Sequence, residues 1–481
     1  MTDAWTAARC SARYLTDDTQ AIGDRSTVMA VESPLTPSLR SLPRRDGGAP
    51  EPARTRPVAG DRRRRGEPCR ARPEEMRAPA IVISGHFAGL AVTRSLGRAG
   101  VPVVALRHNA ADFGHCSRWV TKDIAVPHPE HEQPAFIERL LELVPDYAGA
   151  LVIPTSDEAV KAVSRHKQRL QEHYVVACVD WTIAERFIDK KHTYARAAEL
   201  GVPAPRTVVA HSIDDLESAR DVLEFPCLVK PRESHRYEEA FGRKMVTSHT
   251  FDDMRRAYLE AAGAGLDVLI QEFIPGDDTA GVNYNAYMHD GEPVVACTAQ
   301  KIRLKPAQTG RPRVLVSRDI PDIAPAACTI LNGLGVYGFA CTEFKRDARD
   351  GVYKLMEING RPNLSTGLSV RCGVNFPTII YEHLMEGRLP APRPWRTGLY
   401  WVDGLSDAVH TARHLRDERV SPQNLLRPYL RPHVWASFEL RDVRPFAART
   451  RALARSRSPG SGTPAGDGTP AGESSPGGQD A

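Results

Sequence analysis

Between residues 80 and 179, short apolar runs alternate with stretches of helical period, and no other feature constrains the fold of this chain as tightly. Ala80-Ile-Val-Ile-Ser84 reads as a buried strand, 85–89 as a turn, and 90–99 as a helix ended by Gly100. A second strand follows at 101–106 and two more at 148–154 and 175–179, with helical stretches at 136–144 and 158–170 between them. Strands and helices in alternation predict a parallel α/β sheet.

After residue 184 the texture changes. A helix at 192–200 is closed by Gly201-Val-Pro203, and strands follow at 207–210, 227–231, 268–274, 282–288, 294–300, 337–345 and 353–359. Runs of strands with few helices between them predict mostly antiparallel sheets, so the fold class is α/β plus α+β. The expected boundaries are 78–182 for the α/β domain, 183–390 for the α+β domain and 391–450 for an appended segment. That segment contains Trp401, Trp435 and Phe438, read as the core of a small α/β unit or lid. Residues 1–77 and 451–481 are rich in Pro, Arg, Gly and Ser and are expected to be a disordered leader and tail, with Met76 as an alternative start.

The chain has 481 residues, enough for two or three packed domains. Its net charge of +5 owes much to arginines in those two ends, which weakens any case for nucleic-acid binding. The nine cysteines never form C-x-x-C, which argues against a zinc site or a secreted disulfide framework and favours the cytoplasm. No apolar run reaches the ~20 residues needed to span a bilayer.

Chemistry concentrates in Tyr353-Lys-Leu-Met-Glu-Ile-Asn-Gly-Arg-Pro362. Alternation along a strand points Glu357 and Asn359 to one face while Met356 and Ile358 pack on the other. Glu343 lies on the preceding strand, and a short link over 346–350 makes the two segments a hairpin, so Glu343 and Glu357 share a face in an even register. Oxygen donors so placed suit a hard cation such as magnesium, which would also relieve the repulsion between two carboxylates. Two lysines supply the complementary charge: Lys190 precedes the helix ending at Gly201, and Lys230 closes the apolar strand Pro226-Cys-Leu-Val-Lys-Pro231. A lysine ending a buried strand fits phosphate, although a snorkelling side chain would look similar. Val268-Leu-Ile-Gln-Glu-Phe-Ile-Pro-Gly276 offers backbone groups to an adenine edge, with Phe273 and Ile274 to flank the ring.

In this order, Asp189-Lys190, Gly201-Val-Pro-Ala-Pro205, Val229-Lys-Pro231, Gln271-Glu-Phe-Ile-Pro-Gly276, Glu343 and Met356-Glu-Ile-Asn-Gly-Arg361 resemble the ATP-grasp ligases, in a carboligase-like branch similar to D-aspartate ligases. The resemblance implies a Rossmann-like domain ahead of an ATP-grasp domain of two α+β subdomains. It implies that Lys190 and Lys230 hold ATP phosphates, that Gln271 and the backbones of Glu272 and Ile274 meet adenine beside Phe273, and that Asp278 takes the ribose hydroxyls. Glu343, Glu357 and Asn359 would hold Mg2+, with Mn2+ as a substitute. Arg361 would steady the phosphorylated intermediate, and Lys301 and Arg303 would lie near the transferred phosphate. One departure is the stretch 232–244, which lacks the family's glycine-rich phosphate loop and leaves Ser234, His235, Arg236 or Lys244 to contact phosphate from a mobile loop. Gly85-His-Phe-Ala-Gly89 lacks the full G-x-G-x-x-G spacing of a dinucleotide site, while Pro154-Thr-Ser-Asp-Glu158 ends a strand where such sheets bind ligands.

The expected function is an ADP-forming carboxylate–amine ligase making an amide or peptide bond from two small molecules, with homodimerisation left open. Other ATP-grasp chemistry, such as carboxylation or carbamoyl phosphate formation, is the nearer alternative, and a non-catalytic ATP-binding regulator the more distant one.

Overall fold

The structure is a computed structural model that describes residues 77–455 apart from 233, 244 and 415–421. The expected leader up to residue 76 and the Gly-Thr-Pro-Ala-Gly repeats lie outside the described residues. Three sheets organise the rest.

The first is a five-stranded parallel sheet in the order β3-β2-β1-β4-β5, formed by β1 (Ala80–Ile83), β2 (Val103–Arg107), β3 (Val120–Ala125), β4 (Leu151–Pro154) and β5 (Val175–Val176). Every residue of β1 and β4 is buried, as parallel strands covered on both faces require. The edge strand β3 escapes a reading based on apolar runs because Val-Thr-Lys-Asp-Ile-Ala is largely exposed and polar.

The second sheet is antiparallel in the order β6-β9-β7-β8, from β6 (Thr207–Ala210), β7 (Cys227–Pro231), β8 (Val246–Ser248) and β9 (Val268–Glu272). Two helices that the sequence reading passed over, Ile213–Val222 and Phe251–Gly263, share a core with it. Each opens with a capping box, Ser212 with Asp215 and Thr250 with Asp253, which satisfies amide groups at the helix start. The stretch expected to be a mobile loop instead contains the helix Ser234–Phe241; the side chains of Ser234, His235, Arg236 and Lys244 lie outside the described residues.

The third sheet has seven strands in the order β14-β13-β10-β11-β12-β15-β16. They are β10 (Gly281–His289), β11 (Glu292–Lys305), β12 (Arg311–Ser317), β13 (Gly338–Arg346), β14 (Tyr353–Asn359), β15 (Tyr400–Val402) and β16 (His433–Trp435). The segment read as an appended unit therefore joins this sheet, with Trp401 2% exposed in the core. The helix Arg444–Arg455 runs past residue 451, where a tail was expected, and Arg449 binds Asp403 at 2.6 and 2.7 Å. One face of the sheet packs on the helices Trp181–Ile188, Lys190–Glu199 and Ala324–Leu334. Part of the other shares a core with the parallel sheet and the helices Phe87–Arg98 and Phe376–Glu386. No helix among the described residues is long and apolar enough to cross a membrane, and every described cysteine is a free thiol.

Candidate active site

The β13–β14 hairpin pairs Glu343 directly with Glu357, and Asn283 on β10 stands opposite Glu343 on its other side. Directly paired residues share a face, so Asn283, Glu343 and Glu357 form one row across three strands, and Asn285, Cys341 and Asn359 form the next. The register slips after Glu343, so alternation fails at Met356: Leu355 and Ile358, at 0% and 3% exposed, fill the core, while the expected core residue Met356 is only half-buried. Among the described residues no third carboxylate, histidine or cysteine joins the pair as a metal-binding group; the added donors are amide oxygens. Asn283 is 4% exposed and its Oδ1 has no hydrogen-bond partner. Two opposed carboxylates, Asn359 and an unsatisfied amide oxygen are the hard-oxygen donor set that magnesium or manganese takes.

Three lysines border this row. Lys301 Nζ lies 2.5 Å from Glu343 Oε2, and Lys190 Nζ lies 3.4 Å from Glu357 Oε1. Burial works against both ammonium groups, yet the adjacent carboxylates, Glu343 and Glu357, hold both above the ordinary lysine range. Lys190 is placed by its helix: Asp189 caps the N-terminus by accepting from Lys191 N at 3.0 Å, and Tyr194 donates to the Met356 carbonyl at 2.7 Å, docking the helix on β14. Arg232, just past β7, binds Asp189 and so joins the ends carrying Lys190 and Lys230. Lys230 is 6% exposed and donates to Gln271 Oε1 at 2.9 Å; Gln271 in turn donates to Thr207 Oγ1 at 2.9 Å. Burial, and then the charge of Lys190, push the Lys230 ammonium down to about 8.

Arg361 completes the cluster. It binds Asp157 through Nε at 2.6 Å and Nη2 at 2.8 Å and reaches Asn359 Oδ1 at 3.3 Å. Asp157 opens the helix that follows β4, so the carboxyl end of the parallel sheet borders the site. Burial would raise its carboxyl, but Arg361 holds it below the usual range. Gly360 is required between the two functional residues because a Cβ there would stand 2.4 Å from Phe187 Cζ.

No family model matches the chain. It is 30% identical over 268 residues to a D-aspartate ligase of Enterococcus faecium, covering 52% of this chain and 63% of that one. It is 26% identical over 208 residues to a D-alanine–D-alanine ligase of Ralstonia pickettii, covering 40% of this chain and 60% of that one. The chain thus spans less than two thirds of either relative's length. An L-amino acid ligase from Bacillus licheniformis superposes on it with a TM-score of 0.52 at 17% identity, over 66% of this chain and 78% of that chain, which establishes a common fold. The chain is thus similar in sequence to ligases named for D-aspartate and D-alanine and shares its fold with an L-amino acid ligase.

Against the ATP-grasp expectation, Arg303 holds a different place. Arg303 is 3% exposed and grips Asp407 at 2.8 and 2.5 Å, beside Arg313 on the same carboxylate at 2.8 Å. The β11–β12 register slips between Lys301 and Arg303, breaking the alternation that would have kept both at the carboxylate row. Asp278 accepts backbone N–H groups from Leu304 at 2.7 Å and Gln308 at 2.6 Å, so it pins the end of β11. In the segment expected to meet adenine, the Glu272 N–H donates to the Arg206 carbonyl at 2.9 Å, Ile274 is 2% exposed and Phe273 is half-buried. The ATP-grasp reading of the sequence missed Asn283 and Thr207, and it marked the strand end 154–158 that holds Asp157 without giving that residue a role. Val282-Asn-Tyr-Asn-Ala286, with amides alternating in an apolar strand, held the signal for Asn283.

Proposed function

We propose that this chain is an ATP-grasp, ADP-forming carboxylate–amine ligase, which phosphorylates a carboxylate with ATP and passes the acyl group to an amine to make an amide or peptide bond. The observation that carries the reading is the Glu343–Glu357 pair, bordered by Lys301, Lys190 and Lys230, in a chain related to ligases named for D-aspartate and D-alanine. In this reading residues 78–182 are a Rossmann-like domain, 183–390 an ATP-grasp domain of two α+β subdomains, and 391–450 complete its larger sheet. The partners are a small-molecule acid and amine, the compartment is the cytoplasm, and the assembly to test first is a homodimer.

A carboxylate resists amines because its leaving group would be oxide, and phosphorylation supplies a better one. Glu343, Glu357 and Asn359 would hold Mg2+, with Mn2+ as a substitute. When bound, that cation neutralises phosphate charge, which together with positioning is most of what phosphoryl transfer requires. Lys190 and Lys230 bind the phosphates; Phe273, Ile274 and the backbone from Gln271 to Ile274 border the base, and Asp278 lies at the ribose. Gln271 orients Lys230. Lys301 and Arg361, the latter held by Asp157, stabilise the charge that develops at the phosphoryl group and acyl carbon.

The test is ADP release against a panel of amino acids. Release that depends on the amino acid and disappears in Glu357→Ala supports the ligase; tight ATP binding without turnover on any member would replace it with the regulator.

A further inference from the structure

Lys345 sits on β13 two residues beyond Glu343 and opposite Gly281 of β10, so it lies on the same face as the carboxylate row. It is 8% exposed, and among the described residues its ammonium has no hydrogen bond or ion pair. Its neighbour is a ring: Nζ stands 5.2 Å from the Phe273 centroid. A Cβ on Gly276 would stand 3.6 Å from Lys345 Cε, so the lysine stem runs beneath the β9–β10 connection.

A buried ammonium with no carboxylate in contact is unfavourable, and one aromatic face offsets only part of that cost. Anionic oxygen is the chemistry that would complete it. The position narrows the choice. Lys190 and Lys301 gather at the Glu343–Glu357 end of the row, with Lys230 close enough to feel both carboxylates. Lys345 is displaced along the strand toward Phe273, Gly276 and Asp278, the segment assigned to base and ribose.

We propose that Lys345 is a further nucleotide-binding residue, whose ammonium meets the α-phosphate where it joins the ribose. This rests on the ligase reading of the site. It gives the nucleotide a cation at each end of its phosphate chain and predicts a preference for nucleotides over the nucleoside.

The test is calorimetric binding of adenosine, AMP and Mg-ADP to the full chain and to Lys345→Met, which keeps the apolar stem and removes the charge. The expected result is a loss of about tenfold or more for AMP and ADP, with adenosine unchanged within about twofold. Lys345→Arg should retain AMP binding, and thermal unfolding should show Lys345→Met as stable as the parent. Equal losses for adenosine and AMP, or none, would overturn the assignment and leave Lys345 as packing for Phe273. If the parent chain binds none of the three, the ligase reading itself fails, which separates the two outcomes.

Discussion

Arg361 holds Asp157 at two points, Nε to Oδ1 at 2.6 Å and Nη2 to Oδ2 at 2.8 Å, across 204 residues of chain. This fork locks the guanidinium of the β14 end against the helix that follows β4. Asp157→Asn should release it without emptying the space. The expected result is a fall in kcat of about a hundredfold, the scale on which misplacing a catalytic group acts, with ADP affinity unchanged. Steady-state kinetics beside a binding isotherm would check this; a parallel loss of ADP affinity would contradict it.

Lys230 predicts a pH dependence with a defined sign. Burial, reinforced by Lys190, brings the ammonium to about 8 from an ordinary value of 10.5. In the ligand-free chain the folded state releases this proton first, so between those values the group's contribution makes stability rise with pH. Phosphate binding needs the charged form, so ADP affinity should fall as pH climbs past about 8, approaching tenfold per unit. Titration calorimetry from neutral to alkaline pH reads this directly, and Lys230→Met should flatten the profile.

Asp407 is expected to matter for stability rather than chemistry. It accepts from Arg303 and Arg313, and all three are at most 3% exposed. Asp407→Ala would leave two buried guanidinium groups without their shared carboxylate, at a cost of about 3–5 kcal/mol. Chemical denaturation should show that loss, while Arg303→Met paired with Asp407→Leu should recover part of it and retain ADP release. Loss of turnover in a stably folded double variant would return Arg303 to the catalytic group.

Gly360 offers a steric test. A Cβ there meets Phe187 Cζ at 2.4 Å, so Gly360→Ala should destabilise by about 1–3 kcal/mol and displace Asn359 and Arg361. Phe187→Leu in the same chain should restore part of the activity. Failure of the second change to help would show that the ring is not the obstacle.

The regular parts of this molecule were legible where local pattern and tertiary role agree. The buried strands β1 and β4, and the Glu343–Glu357 hairpin, follow from apolar runs and from alternation. The misses share one cause, a local rule overridden by its neighbours. Strand β3 is a polar edge, held by pairing with β2 rather than by its own hydrophobicity. Register shifts at Met356 and between Lys301 and Arg303 broke the alternation from which side-chain direction was inferred, and they exchanged Leu355 for Met356 and removed Arg303 from the site. The Arg361–Asp157 contact joins residues too distant in sequence for spacing to reveal.

The central claim is that a carboxylate is activated by phosphorylation. Its most direct test is to supply the acid found in the ADP-release panel with 18O in its carboxyl group, together with ATP, magnesium and amine, and to measure the mass of the inorganic phosphate formed. One 18O atom transferred to each phosphate is the predicted result, since the acyl phosphate breaks at the acyl carbon. ADP formation with unlabelled phosphate would contradict the account.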